Sequence, residues 1–236
     1  MQKKQIKICG LTKQQHFELC IENKADYIGC VFYKNSSRFI DIKNASNILQ
    51  NIKLNNFTKI VGVVVNPTLN ELKEIFDIGI STLQIHFKLQ DFNTANISLL
   101  NSIKKLNKDI NIILGFNITD IANNSNIIQE FNLYSDFLLI DSEIKTNNKN
   151  LYGGSGEAFE WSLLNQDLFY KIYSKLNKTL FNKNFFIAGG ININNIENAF
   201  NYSNFVDLSS GVEITKGVKD SQKIQELLNF VNQFCK

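Results

Sequence analysis

One arginine, one proline, one tryptophan, one methionine and two histidines are all that this 236-residue chain holds of those five residue types. Each scarcity excludes something. With only His16 and His86, a histidine-rich metal centre is excluded, and no metal or other cofactor is expected. The four cysteines, Cys9, Cys20, Cys30 and Cys235, share no metal-like spacing and are too few for a disulfide framework in a chain of this length. Apolar runs such as Ile60–Val65 and Phe137–Ile140 are far too short to span a bilayer, so no membrane partner is expected. The basic start, Met1-Gln2-Lys3-Lys4-Gln5, has no apolar segment behind it, which argues against a signal peptide and for a cytoplasmic protein. Net charge is only +3, with lysines scattered and no aromatic cluster beside them, so nucleic acid is not an expected partner. Gly/Pro/Ser-rich linkers are missing too, and residues 1–236 read as one domain.

Asn, Lys and Ile are abundant instead, as in a chain encoded by an AT-rich genome where Lys codons displace Arg codons. The lone Arg38 is then informative. Lysine can carry a surface charge, but it cannot reproduce the planar fork that grips a carboxylate or phosphate. Survival by chance is the alternative reading.

Short β-branched runs alternate with longer segments of helical spacing. The strand candidates are 5–9, 26–32, 58–65, 82–86, 110–116, 136–140, 184–188 and 205–208. Helical spacing appears near 12–23, 41–53, 68–78, 93–106, 119–131, 158–178, 192–200 and 219–234, with Thr68, Thr119 and Asn192 as N-caps. Eight βα units predict parallel pairing. The first strand ends Cys9-Gly10-Leu11-Thr12, which is no dinucleotide fingerprint, and the glycine-rich turns come late in the chain. These features favour a closed (β/α)8 TIM barrel, an α/β fold, with an anion site at its last strands.

In such a barrel the chemistry lies at the C-terminal strand ends. Those ends offer Cys9, Ser36-Ser37-Arg38, His86, Asp141, Gly189-Gly190 and Ser209-Ser210-Gly211. Gly189, Gly190, Ser209, Ser210 and Gly211 suit a phosphate cradle, with a short helix after the last strand aimed at the same point; two ordinary tight turns are the plainer reading. Gly153-Gly154-Ser155-Gly156 is either a lid, a further anion contact through Gly154, or a plain loop. Lys7 shares a strand face with Cys9 and so points into the barrel, where it needs an anion; Asp207 on the last strand is the expected partner. The nearby ammonium is expected to lower the Cys9 thiol pKa. Asp141 follows a fully apolar strand, which suits either a general acid of raised pKa or a loop-fixing residue. His86 either lines the pocket or fixes a loop.

Taken together, these segments resemble the phosphoribosylanthranilate isomerase family from end to end. The resemblance rests on Lys7-Ile-Cys-Gly-Leu-Thr, Ser37-Arg38-Phe-Ile, Leu83-Gln-Ile-His86, Leu139-Ile-Asp141, Gly153-Gly-Ser-Gly-Glu-Ala-Phe-Glu-Trp161, Ala188-Gly-Gly-Ile-Asn192 and Val206-Asp-Leu-Ser-Ser-Gly-Val-Glu213. It implies a cofactor-free Amadori rearrangement of a small-molecule substrate by a monomer or homodimer. It implies that Asp141 is the acid that opens the furanose ring and Cys9 the base that removes the C2′ proton. It also implies that Arg38 holds the anthranilate carboxylate, and that the late glycines and serines hold the phosphate.

Two departures stand out. Ser37 occupies the place of a usual proline before Arg38, which should loosen that loop. Phe87 follows His86 where the family usually has glycine, and should either narrow the pocket or turn the next loop outward. Rival readings are another phosphate-binding barrel isomerase, or a relic barrel that binds its ligand without turnover.

Overall fold

The computed structural model describes residues 3–87, 94–106, 108–117, 133–141 and 185–234. Eight parallel strands run in chain order around a closed barrel, and the last is hydrogen-bonded back to the first. They are β1 (Gln5–Cys9), β2 (Tyr27–Val31), β3 (Lys59–Val65), β4 (Thr82–His86), β5 (Asn111–Asn117), β6 (Phe137–Asp141), β7 (Phe185–Ala188) and β8 (Phe205–Leu208). Each lies within one residue of its expected bounds. The described helices are α1 (Gln14–Glu22), α2 (Ile42–Asn51), α3 (Leu69–Asp77), α4 (Thr94–Leu106), α5 (Ile196–Ala199) and α6 (Ser221–Phe234). A two-stranded hairpin, β9 (Glu213–Thr215) and β10 (Val218–Lys219), follows β8 and precedes α6. The helices expected near 119–131 and 158–178, with the Thr119 cap, lie outside the described residues, as do Gly154 and Trp161.

The sequence explains the elements that matter for the site. Thr68 caps α3 through a full capping box, its hydroxyl accepting from Glu71 N while the Glu71 carboxylate accepts from Thr68 N. Asn192 does not cap a helix as expected. Its side chain accepts from Asn194 N, its own N–H donates to Asn195, and the short α5 starts later at Ile196. A run of asparagines competes for the same backbone groups, and the turn wins over the first helical turn.

Strand alternation makes two cores. Outward residues such as Ile8, Ile28, Val64, Ile85 and Leu114 meet Phe17, Leu72, Ile75, Leu100 and Leu227 of the helices. Phe87 belongs to this outer core, buried beside the strands and away from the cavity. It therefore does not narrow the pocket, because it follows the inward His86 and takes the opposite face, and the loop after it lies outside the described residues. Inside the barrel, Phe186 is fully buried among Tyr27, Phe137 and Phe205, with ring centroids 5.2, 5.7 and 5.2 Å away and steeply inclined planes. All four rings sit near the N-terminal strand ends. They fill the lower barrel and leave the polar side chains to the upper half.

Candidate active site

The upper barrel opens into a cavity of about 90 Å³. Its wall holds Cys9, Arg38, His86, Asp141, Gly189, Gly190, Asp207, Ser209 and Ser210. Nine residues singled out from the sequence thus meet in one place, although Cys9 and Ser209, for example, lie 200 positions apart. Gly211 does not line it. A Cβ at Gly211 would overlap the Ile191 carbonyl, so the absent side chain lets the turn after β8 touch the turn after β7.

Lys7 and Asp207 pair as expected. They are direct neighbours in the β1–β8 register, and Lys7 Nζ lies 2.9 Å from Asp207 Oδ2 with the lysine wholly buried. Burial opposes the Lys7 charge, but Asp207 and then Cys9 outweigh it and hold its pKa above the ordinary value. The expected downward pull of Lys7 on Cys9 is present but does not decide the thiol's pKa. Burial pushes the Cys9 thiol up, Lys7 pulls it down, and Asp207 offsets much of that pull, so the net shift is upward. The ammonium is already neutralised by its carboxylate and cannot outweigh desolvation.

Arg38 also differs from the simple expectation of a free fork. Its Nε and Nη2 donate to Glu213 Oε1 and Oε2 at 2.6 and 2.9 Å, and both residues are buried. The bidentate geometry that only arginine supplies is therefore met within the protein, and the remaining guanidinium N–H groups are left for the cavity. The serine after Ser36 does not leave this turn loose. Ser36 Oγ accepts from Arg38 N, Phe39 N donates to Ser36 O, and the backbone of Gly217 in the β9–β10 turn abuts Ser37.

Glu213 takes two further donors, Lys219 Nζ at 2.7 Å and Gly217 N at 3.0 Å. Burial works against its charge, but Arg38 and Lys219 win and hold the carboxyl at about 2. Lys219 is itself buried and reaches Ser209 O and Oγ at 2.7 and 3.0 Å. Burial brings its pKa down to about 8, with Glu213 opposing. Two cations share one carboxylate directly behind the Ser209-Ser210 turn. Since Lys7 and Asp207 cancel, these five buried charged groups carry a net single positive charge, which suits an anion in front of them. Gly189 (φ 100°) and Gly190 (φ 60°) adopt the left-handed backbone that exposes consecutive N–H groups, on the other side of the same corner. The helix expected after β8 is a single 3₁₀ turn, Ser210–Val212.

Asp141 ends β6 half-buried in the cavity wall, three strands round from Cys9. His86 ends β4, and burial followed by the Lys7 charge holds its pKa at about 4, so the ring is neutral around pH 7. Among the described residues no three His, Cys, Asp or Glu side chains gather as a metal site. Sequence reading assigned no role of their own to Gln84, Glu213 and Lys219. Glu213 and Lys219 lie in a glycine-rich stretch where only the turn drew notice. Gln84 could have been found from His86, because residues two apart share a strand face.

The family model for N-(5'phosphoribosyl)anthranilate (PRA) isomerase matches residues 6–230. The N-(5'-phosphoribosyl)anthranilate isomerase of Clostridium acetobutylicum is 33% identical over 233 residues, covering 97% of this chain and 98% of the relative. That of Listeria innocua is 35% identical over 225 residues, covering 93% and 94%. The crystal structure of the Thermotoga maritima phosphoribosyl anthranilate isomerase superposes with a TM-score of 0.71 at 26% identity, covering 98% of this chain and 99% of that one. With Cys9, Arg38 and Asp141 brought to one cavity above a positively charged corner, the chain belongs to the phosphoribosylanthranilate isomerase family.

Proposed function

We propose that the protein converts N-(5′-phosphoribosyl)anthranilate into 1-(2-carboxyphenylamino)-1-deoxyribulose 5-phosphate, the third step from chorismate to tryptophan. The observation that carries this reading is that Cys9 and Asp141 face one cavity whose far corner suits a phosphate. Residues 1–236 act in it as one catalytic unit. The substrate phosphate rests on Gly189, Gly190, Ser209 and Ser210, in the field of Arg38 and Lys219. The N–H edge of Arg38 that Glu213 leaves open holds the anthranilate carboxylate, with Glu213 fixing the aim of the fork.

Asp141 gives a proton to the furanose ring oxygen. The C1′–O bond breaks with its electron pair going to that oxygen, and the nitrogen lone pair forms a C1′=N iminium. Cys9, as thiolate, then takes the C2′ proton, and the C–H electrons form the enolamine. Protonation at C1′ and loss of the hydroxyl proton at C2′ give the ketone. A thiol of raised pKa is reconciled with this role by the iminium, whose positive charge acidifies the C2′–H and favours the thiolate beside it. The buried, free Cys9, Cys20 and Cys30 suit a reducing cytoplasm.

Rescue of a tryptophan auxotroph lacking this isomerase is the test, with Cys9→Ala as control. Growth with the parent gene and none with the variant supports the reading. Soluble expression without growth supports a relic barrel instead.

A further inference from the structure

Gln84 stands inside the barrel one layer below His86 and is not used by the steps above. It is 3% exposed and lines the cavity. Its register neighbours are Val63 on β3 and Ile113 on β5, two aliphatic side chains with nothing to donate or accept. Its Nε2 lies 2.8 Å from His86 Nε2. Its Oε1 is buried and has no hydrogen-bond partner among the described residues. An amide group in an aliphatic layer is expensive to bury unless both ends are satisfied. Here one end is satisfied by a histidine and the other is left bare within the wall of the cavity.

The histidine is held as firmly as the amide. The His86 ring lies across the Cα of Gly115, its register neighbour on β5, where any side chain would run into the ring. A ring nitrogen that receives an N–H from Gln84 must be unprotonated, so the proton of the neutral ring sits on Nδ1. The pair therefore presents one donor, His86 Nδ1–H, and one acceptor, Gln84 Oε1.

We infer that Gln84 is a positioning residue of this site: its amide N–H fixes His86 in the Nδ1–H tautomer, and its bare Oε1 accepts a hydrogen bond from an N–H or O–H of the substrate segment that crosses the barrel centre. The substrate half of this inference rests on the proposed function, whereas the tautomer half does not. The chemical consequence is selectivity. A ligand with a phosphate and a benzoate but no donor between them leaves Oε1 unpaired and loses affinity.

Two measurements test it. Nitrogen NMR of the wild-type protein at pH 7 should show His86 protonated at Nδ1 and bare at Nε2. Gln84→Glu replaces the donor with an acceptor, so the proton should move to Nε2 and the ring should titrate well above pH 4. Gln84→Met keeps the shape and removes both polar atoms. It should weaken binding of the product analogue reduced 1-(o-carboxyphenylamino)-1-deoxyribulose 5-phosphate, and raise KM, by about tenfold with kcat changed less than about threefold, the pattern of an interaction made equally in ground and transition states. A wild-type His86 protonated at Nε2, or a Gln84→Met protein that binds the analogue as the parent does, overturns the inference. If Gln84→Met does not fold, the wild-type spectrum and Gln84→Glu still decide it. A wild type that neither binds the analogue nor turns over substrate sinks the functional reading and the substrate half together, while the spectrum decides the tautomer half alone.

Discussion

Lys7 Nζ lies 2.9 Å from Asp207 Oδ2 in the interior of the barrel, between residues that are direct partners across the β1–β8 seam. The pair closes the barrel electrically where the strands close it geometrically. It also sets the environment of Cys9, two residues further along β1. A buried pair of this kind adds little net stability, but losing one partner strands a charge.

Lys7→Met should therefore cost about 3–5 kcal/mol, a fall in Tm of about 10 °C for a chain of this size. The double variant Lys7→Met/Asp207→Leu should recover most of that loss, because no charge is left buried alone. Thermal unfolding by circular dichroism checks both, and a double variant no better than the single one refutes the account.

The same pair predicts how Cys9 titrates. Asp207 raises the thiol pKa and Lys7 lowers it. Asp207→Asn should thus bring the midpoint of Cys9 alkylation to lower pH, and Lys7→Met should send it higher. Iodoacetamide labelling followed across pH by mass spectrometry at Cys9 separates it from the other cysteines. Equal midpoints in the parent and both variants contradict the electrostatic picture.

Cys9→Ala and Asp141→Asn should each lower kcat by about 10²–10⁴ while the product analogue still binds within a few-fold. Single-turnover kinetics with calorimetric binding tests this. Lost binding together with lost turnover argues that these groups shape the pocket rather than move protons.

Lys219, with its pKa brought down to about 8, predicts an alkaline limb. Above pH 8 it loses its proton, the Arg38–Glu213–Lys219 group falls from net positive to neutral, and the phosphate is held less well. KM should climb between pH 8 and 10 with kcat changing less. Lys219→Met should remove this dependence and have a high KM throughout.

Glu213 predicts the acid limb of stability. Its folded pKa of about 2 lies below its ordinary value of 4.5, so the stabilisation is full above pH 4.5 and is lost as pH falls toward 2. The shift corresponds to about 3 kcal/mol. Glu213→Gln should lose that amount at pH 7 and flatten this part of the pH profile in urea unfolding. Arg38→Lys keeps the charge but not the fork, and should weaken both the Glu213 contact and substrate binding. An Arg38→Lys protein equal to the parent in both respects refutes the argument drawn from the lone arginine.

Local pattern determined a great deal. Short β-branched runs placed all eight strands, because a parallel strand covered on both faces leaves a continuous apolar signature. Strand ends then named Cys9, His86 and Asp141, and the shared face of Lys7 and Cys9 called for a carboxylate that Asp207 supplies. Asn192 misled because one asparagine is a cap by propensity, whereas a row of them folds on itself.

Tertiary structure alone decided what surrounds each group. Whether Lys7 or burial governs Cys9 depends on Asp207 arriving 200 residues later and on how little water reaches the thiol. Whether Arg38 is free or held depends on Glu213, brought back by a hairpin that follows the last strand. Residue type and spacing fix which groups reach the barrel mouth, since strand geometry is local. Charge balance and desolvation are sums over neighbours from distant parts of the chain, and these exist only once the barrel has closed.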